Sequence, residues 1–184
     1  EAVMDFKCFR FSTLALSLGA FLALSNSTMA AEKPCALLTA KDFNGDETMI
    51  REVCKRQALQ GSSSAQSILG SSYQVPFLGP RDDKEAFKWC SMADAHGEKG
   101  NLGCMFTAYY EGRGTSQDLT EAYKYLILAI ENDCVSCAPD TIGAITLNGH
   151  LKIRSHLDST LPNSVILEAK RRAAKWNELH GYKN

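Results

Sequence analysis

The chain contains an internal repeat with a period of 36 residues. The segment Ala86–Trp89 recurs as Ala122–Tyr125, and a third copy, Ala173–Trp176, lies 51 residues further on, which adds an insertion of 15 to the period. Other positions keep the same register: Leu69 with Met105, Tyr73 with Tyr109, Asp82 with Asp118, and Ala93 with Ala129. A period of this length is typical of solenoids and related arrays. The sequence therefore predicts one structural unit that is repeated along the chain.

Each unit carries apolar residues at helical spacing. Ala86, Trp89 and Ala93 lie at i, i+3 and i+7, so they share one face of a helix. Leu69 and Tyr73 form an i, i+4 pair on an earlier helix. One helical hairpin cannot bury such faces alone, but stacked hairpins can. Because no segment alternates apolar and polar residues with β-branched side chains, we predict an all-α fold.

The repeat divides the chain into helical hairpins. Residues 31–184 are predicted to form a single domain, and Pro162 fits the start of its last helix. The predicted parts are an N-terminal helical hairpin at 35–60, repeat one at 64–97 (helices 64–75 and 83–96), repeat two at 100–133 (helices 100–111 and 119–132), and a divergent repeat three at 137–181 (helices 138–148 and 163–180) with an insertion at 149–161.

The first 30 residues predict a cleaved secretory signal peptide. Lys7 and Arg10 precede an uncharged apolar run at 11–24, and small residues lead to a cut after Ala30. The alternative is a membrane anchor, but the run has about 14 residues where a span needs about 20. We therefore expect a periplasmic or secreted chain without stable membrane insertion.

Six cysteines follow the expected cleavage point, and an even number in an exported chain predicts disulfides. Residues equally far from the turn of an antiparallel hairpin lie at the same height. The midpoints at Asn44-Gly45, at Gly97 and at 135–136 indicate three bridges. They are Cys35–Cys54, Cys90–Cys104 and Cys134–Cys137. The last spacing also occurs in redox motifs, but no strand precedes it, which favours a structural bridge.

Composition and motifs argue against nucleic-acid binding and against catalysis. The chain has 20 Lys and Arg against 21 Asp and Glu, too few for a basic face. The serines at 62–64 lack the S-x-x-K arrangement of penicillin-type nucleophiles, and no G-x-S-x-G or phosphate loop is present. His150 and His156 lack a third ligand at a suitable spacing. We therefore predict no catalytic residues, no cofactor and no metal.

The repeated residues resemble the Sel1-like repeat, a relative of the tetratricopeptide repeat with a longer loop. Matching residues are Ala65, Leu69, Gly70, Tyr73, Asp82, Ala86, Trp89, Ala93 and Gly97 in unit one, and Tyr109, Gly112, Gly114, Asp118, Ala122, Tyr125 and Ala129 in unit two. Pro76–Leu78 replaces the usual G-x-G loop in unit one, and Phe106 stands where glycine is usual. The resemblance implies a short right-handed α-solenoid of stacked helix-turn-helix repeats, here stapled by disulfides.

Proteins of this type are mostly adaptors that hold a partner protein in a groove lined by their first helices. Carrying over that register gives the partner-binding candidates Ser67, Ser71, Gln74, Thr107, Tyr110, Glu111 and Thr146. Tyr110 is the strongest candidate because tyrosine is enriched at interface hot spots, although partial burial beside Tyr109 would explain it as well. The insertion at 149–161 is a second candidate surface. Its alternative interpretation is an ordinary loop.

Exported proteins with such repeats resemble several functional groups. Some are periplasmic immunity proteins that neutralise phospholipase-type effectors of type VI secretion. The size and the expected signal peptide favour an immunity protein whose partner is a toxic effector. One alternative is a periplasmic adaptor for envelope or signalling proteins. Another is a cell-wall-active, β-lactam-binding hydrolase of the cysteine-rich type, and the resemblance leaves these alternatives open.

Overall fold

The computed structural model describes residues 33–44, 48–75, 79–132 and 142–181. Two short 3-10 helices, Cys35–Leu37 and Ala40–Phe43, come first. The α-helices of this part of the chain are α1 (Thr48–Leu59), α2 (Ser63–Gln74), α3 (Asp83–Ala95), α4 (Leu102–Glu111), α5 (Leu119–Asn132), α6 (Ile142–Thr160) and α7 (Asn163–Leu179). No strand occurs within it. The predicted signal peptide, the Pro76–Leu78 loop and the Cys134–Cys137 pair lie outside the described residues.

The predicted helices of the first two repeats are confirmed by α2 to α5, but the N-terminal hairpin is not. Its first arm consists of the two 3-10 helices rather than an α-helix. The backbone there forms hydrogen bonds with the side chain of Gln57 in α1. The Cys35 N–H donates to Gln57 Oε1 at 2.8 Å, and Gln57 Nε2 donates to the Lys33 carbonyl at 2.9 Å. These side-chain bonds replace the helical bonds that the prediction assumed.

The prediction that the first helix of repeat three ends near residue 148 is wrong, because α6 continues to Thr160. Most of the insertion at 149–161 is therefore helical. Ile153 and Leu157, one helical turn apart, pack into the core, and Leu157 is only 4% exposed. Burial of these side chains gives the extra turns a packed face and so stabilises them.

The second helices of repeats one and two begin in the same way. Asp82 Oδ1 accepts hydrogen bonds from the backbone N–H groups two and three residues later, and Asp118 Oδ1 does the same. The Asp82 N–H donates to the Tyr73 carbonyl at 3.0 Å, and the Asp118 N–H donates to the Tyr109 carbonyl at 3.1 Å. The 36-residue register thus extends to individual hydrogen bonds, with each aspartate acting as a helix N-cap.

Two glycines permit close approaches within the stack. A Cβ at Gly70 would collide with Sγ of Cys90, so the absence of a side chain lets α2 lie against α3. Gly114 has a φ of +75°, and a Cβ there would collide with the carbonyl oxygen of Asp83. The loop between α4 and α5 therefore needs glycine both for its backbone conformation and for its packing.

The alanine-and-aromatic positions of the three repeats are all buried, Tyr125 and Trp176 in one apolar cluster and Trp89 in another. Trp89, Tyr125 and Trp176 are 2%, 3% and 6% exposed, as equivalent repeat positions should be. Tyr125 donates its hydroxyl to Asp94 Oδ2 at 2.7 Å, and Trp176 donates Nε1 to Asp94 Oδ1 at 3.0 Å. The carboxylate of α3 thus binds one ring from α5 and one from α7. Burial, together with the charge of Asp94, raises the pKa of Tyr125, which keeps its hydroxyl protonated as a donor.

Charged side chains near these rings repeat as well. Lys124 lies 3.9 Å from the centroid of the Tyr125 ring and pairs with Glu121 at 2.6 Å. In repeat one, Lys88 lies over Trp89 and pairs with the residue equivalent to Glu121. Arg172 in α7 also contacts Glu121, at 2.6 Å, so that this carboxylate links α5 to α7.

The predicted bridges Cys35–Cys54 and Cys90–Cys104 are confirmed. The first ties the N-terminal segment to α1. The second joins α3 to α4, and therefore connects repeat one to repeat two. Cys54 and Cys90 are almost completely buried, which places both bridges inside the packed helices.

We expect Asp94→Ala to lower the free energy of unfolding by about 2–4 kcal/mol, because two buried donors lose their acceptor. Asp94→Asn is the matched control, since it keeps one side-chain oxygen and should lose less. Urea denaturation followed by circular dichroism measures both values. Equal stability of the alanine variant and the wild-type protein would contradict the proposed role of this carboxylate.

Removing the bridge between the repeats with Cys90→Ala and Cys104→Ala should destabilise the protein by about 3 kcal/mol in the chain-entropy model. Denaturation of the double variant measures this loss. Peptide mapping without reductant should recover Cys90 joined to Cys104 and Cys35 joined to Cys54. A fragment that joins Cys54 to Cys104 would refute this pairing.

Candidate functional site

A cleft of about 380 Å³ lies on the side of the molecule formed by α4 and α6. The backbone of α4 begins beside it, and the C-terminal turn of α5 contributes to its wall. The residues that line it are Lys99, Gly100, Leu102, Gly103, Ala129, Asn132, Thr146 and His150. The lining mixes apolar and polar groups, which is typical of a binding cleft.

An aromatic row continues from this cleft along α4. Phe106 is 5% exposed and stacks on Tyr110, with ring centroids 5.2 Å apart. His150 contacts the Phe106 ring edge-on, with centroids 6.1 Å apart. Because His150 belongs both to the cleft and to the aromatic row, the two form one surface. We call it the α4–α6 groove, and it comprises the cleft residues together with Phe106 and Tyr110.

Gly103 opens the floor of the groove. A Cβ placed on this helical glycine would meet no atom within 4 Å, apart from its own helix and chain neighbours. At the far end of α4, Gly112 closes the helix with a φ of +70°. The space above Gly103 is therefore open because a side chain is missing, while the helix on either side of it is regular.

Two of the predicted partner-binding residues contribute to the groove. Thr146 is exposed and lines the cleft. Tyr110 is half-buried, with its ring fixed by the stack on Phe106. Tyr109 instead packs on the other side, where its ring stacks on Tyr125 and burial raises its pKa. The two neighbouring tyrosines thus have different environments, and Tyr110 is the one on the groove.

The other predicted residues are mainly engaged with the chain itself. Thr107 Oγ1 donates to the Gly103 carbonyl at 3.0 Å, and Gln74 Nε2 donates to the Cys104 carbonyl at 3.1 Å. Glu111 is exposed and forms an ion pair with Arg113. Ser71 is half-buried on α2. Thr107 lies on the same face of α4 as Gly103 and Tyr110, because these positions are three and four residues apart in the helix.

The prediction that Ser67 faces a partner is wrong, because this side chain is only 4% exposed. Its Oγ lies 2.8 Å from the position that a Cβ on Gly100 would occupy, so the loop before α4 covers it. Gly103 is its equivalent in the 36-residue register, and there the position is open. Applying the register to both repeats would have identified Gly103 as a groove residue.

The serines considered as nucleophiles have structural roles. Ser62 caps α2 by accepting the Ala65 N–H at 3.3 Å, and Ser63 donates to Glu98 at 3.3 Å. Ser72 is buried and donates to the Leu69 carbonyl. Among the described residues, no group of three His, Cys, Asp or Glu could hold a metal ion.

None of the helices in the described part of the chain is long and apolar enough to cross a membrane. Both confirmed disulfides require an oxidising compartment to form and persist. The disulfides are compatible with an exported protein.

Comparison with known families gives a match to the Sel1 repeat at residues 63–93 and 101–134. These ranges correspond to α2–α3 and α4–α5. No curated protein matches the chain.

A solved structure with similar architecture is that of a protective antigen present in uropathogenic Escherichia coli strains, described as displaying an SLR fold. The TM-score is 0.57 at 20% sequence identity, and the match covers 71% of this chain and 26% of that one. The present chain thus spans about a quarter of the longer protein, and the likeness concerns the fold. Sel1 repeats generally mediate protein–protein binding. The chain accordingly has an all-α solenoid fold in which two segments that match the Sel1 repeat are followed by the divergent hairpin α6–α7.

Proposed function

We propose that this chain is an exported, non-catalytic binding protein whose α4–α6 groove holds a segment of another protein. The observation that supports the proposal is the open cleft above Gly103, which continues into the aromatic row of Phe106 and Tyr110. An exposed concave surface with an aromatic side chain at its edge is the usual setting of an interface hot spot.

The groove is held in shape before any partner binds. Cys90–Cys104 fixes α4 to α3, and the stack on Phe106 limits the rotation of Tyr110. A preorganised surface loses little conformational entropy on association, which favours tight binding. This rigidity suits a protein that must hold its partner for a long time, as an inhibitor does.

We further propose that the partner is a toxic effector, such as a phospholipase, and that the chain neutralises it as an immunity protein. This role rests on the resemblance described above and on a rigid groove without an identifiable catalytic arrangement. Such a protein acts by occupying a surface of the toxin, so its function requires the groove to be accessible. A role as a general envelope adaptor would use the same groove for endogenous partners.

The test is co-expression of the chain with the product of the adjacent gene, followed by gel filtration and a growth assay. An immunity protein should elute as a complex with that product and restore growth when the product is directed to the periplasm. If the two proteins elute separately and growth is not restored, the immunity role is wrong, although another binding partner could still occupy the groove.

Filling the groove should abolish binding without unfolding the protein. Gly103→Leu places a branched side chain in the open cleft, and we expect it to weaken binding of that partner by at least about 100-fold, the loss typical of a blocked hot spot. Gly103→Ala is the matched control, because one methyl group meets no atom within 4 Å and leaves most of the cleft empty. Isothermal titration calorimetry measures both affinities.

The thermal midpoints of these two variants decide how the result is interpreted. Alanine favours a helix over glycine by about 1 kcal/mol, so Gly103→Ala should be at least as stable as the wild-type protein. Full affinity of a well-folded Gly103→Leu variant would place the partner elsewhere and overturn the proposed binding site.

A further inference from the structure

The last helical hairpin is built differently from the two before it. In repeats one and two, the paired helices α2–α3 and α4–α5 pack extensively against each other. In contrast, α6 and α7 pack mainly against α5 and scarcely contact one another. A cleft of about 210 Å³ lies where they diverge. Its lining residues are Ile127, Glu131, Arg154, Lys170, Ala173, Ala174 and Asn177.

Polar contacts with α5 hold the two helices apart. The Tyr123 hydroxyl donates to Asp158 of α6. On the other side, Asn177 Nδ2 of α7 donates to Glu131 Oε2 at 3.0 Å, and Asn177 is only 5% exposed. Since each helix is fixed separately to α5, closing the cleft would require breaking one of these contacts.

The walls of this cleft carry positive charge. Arg154 projects from α6, and its nearest ion-pair distance is 3.8 Å, to Asp158. Lys170 projects from α7 and forms no ion pair with any described residue. Glu131 is the acidic group of the lining, and it already accepts the bond from Asn177. Lys170 is thus available to an incoming anion, whereas Arg154 would exchange its contacts with Asp158 and the Tyr123 hydroxyl for it.

The surroundings of the cleft are basic too. Residues 142–181 contain six Lys and Arg and three Asp and Glu. Glu168 is occupied by Arg171 and Arg172, whose hydrogen bonds lower the pKa of its carboxyl to about 2. Lys152 and Lys175 are exposed and unpaired among the described residues. This end of the molecule therefore presents an excess of positive charge to solvent.

An apolar strip accompanies the charge. Leu167 is 67% exposed on α7, and Ala174 lies two helical turns further along the same face. Lys170 lies beside this strip. A helix that presents leucine and alanine among lysines has an amphipathic surface with no covering element in the described part of the chain.

We propose that the α6–α7 cleft binds an acidic, amphipathic segment of a partner protein. A carboxylate of that segment enters between Arg154 and Lys170, and its apolar residues cover Leu167 and Ala174. The recess favours a protruding side chain over a flat anionic membrane, which could contact only the rim. This surface is separate from the α4–α6 groove. It supplies a second contact, and it selects an acidic partner segment, which the groove does not.

The test uses a fluorescein-labelled peptide of 14 residues with Glu and Leu at helical spacing, and fluorescence anisotropy as the measurement. The matched peptide has Gln in place of every Glu. The acidic peptide should bind with an affinity that falls as salt rises, and the Gln peptide should bind at least about tenfold more weakly, as expected when several ion pairs are lost. Equal binding of the two peptides would overturn the proposal.

Variants locate the site on the protein. Arg154→Gln and Lys170→Gln should each weaken binding of the acidic peptide by about fivefold, the effect of one partly exposed ion pair. Lys84→Gln, an exposed lysine on α3, is the matched control and should change nothing. If Lys84→Gln weakens peptide binding as much as the cleft variants do, the loss results from the change in the protein's net charge, and the cleft is not the binding site.

The two proposed surfaces can be tested independently. Gly103→Leu should leave binding of the acidic peptide unchanged, whatever its effect on the groove partner. Loss of peptide binding in that variant would place the peptide in the groove and overturn the cleft proposal. Binding to vesicles of phosphatidylglycerol that depends on Arg154 and Lys170, with no binding of the peptide, would show a membrane surface instead and would overturn it as well.

Discussion

The carboxylate of Asp94 is the polar group on which the stacking of this solenoid depends. It lies on α3 and accepts hydrogen bonds from Tyr125 of α5 and Trp176 of α7, so that one side chain fixes the relative positions of three helices. Apolar burial alone would permit these helices to slide, because it has no direction. Two directed bonds to one half-buried carboxylate select a single arrangement, and the buried Ala86, Ala122 and Ala173 provide the close packing that this arrangement requires.

The two candidate binding surfaces, the α4–α6 groove and the α6–α7 cleft, both lie beside α6, a helix that Asp94 does not bind. The helices α5 and α7 pack closely and are joined to α3 through Asp94, whereas α6 lies beside α5 with fewer contacts. On one side of α6, next to α4, this leaves the groove above Gly103. Between α6 and α7 it leaves the basic cleft at Arg154 and Lys170. The divergence of the third hairpin, which lengthens α6, thus creates open surface that a regular third repeat would have buried.

The sequence predicted what local rules determine and missed what tertiary contacts determine. Asp82 and Asp118 fell at equivalent positions because a helix N-cap needs a short acceptor side chain, and that requirement is visible in the repeat. The Cys90–Cys104 pair followed from helix height, whereas Cys35–Cys54 was predicted from an α-helical hairpin that does not form, because Cys35 lies in a 3-10 helix. The 3-10 form of the N-terminal segment depends on Gln57, more than ten residues away, and the burial of Ser67 depends on the Gly100 loop. The sequence pattern within one segment does not reveal its contacts with distant segments.

The central claim is that side chains from different repeats share one acceptor, and a double-mutant cycle with Tyr125→Phe and Trp176→Phe tests it most directly. Each substitution removes one donor and keeps an aromatic ring. Because both donors bind the same carboxylate, the change in unfolding free energy of the double variant should differ from the sum of the single changes by at least about 0.5 kcal/mol. Additivity within about 0.3 kcal/mol would show independent sites and contradict the account.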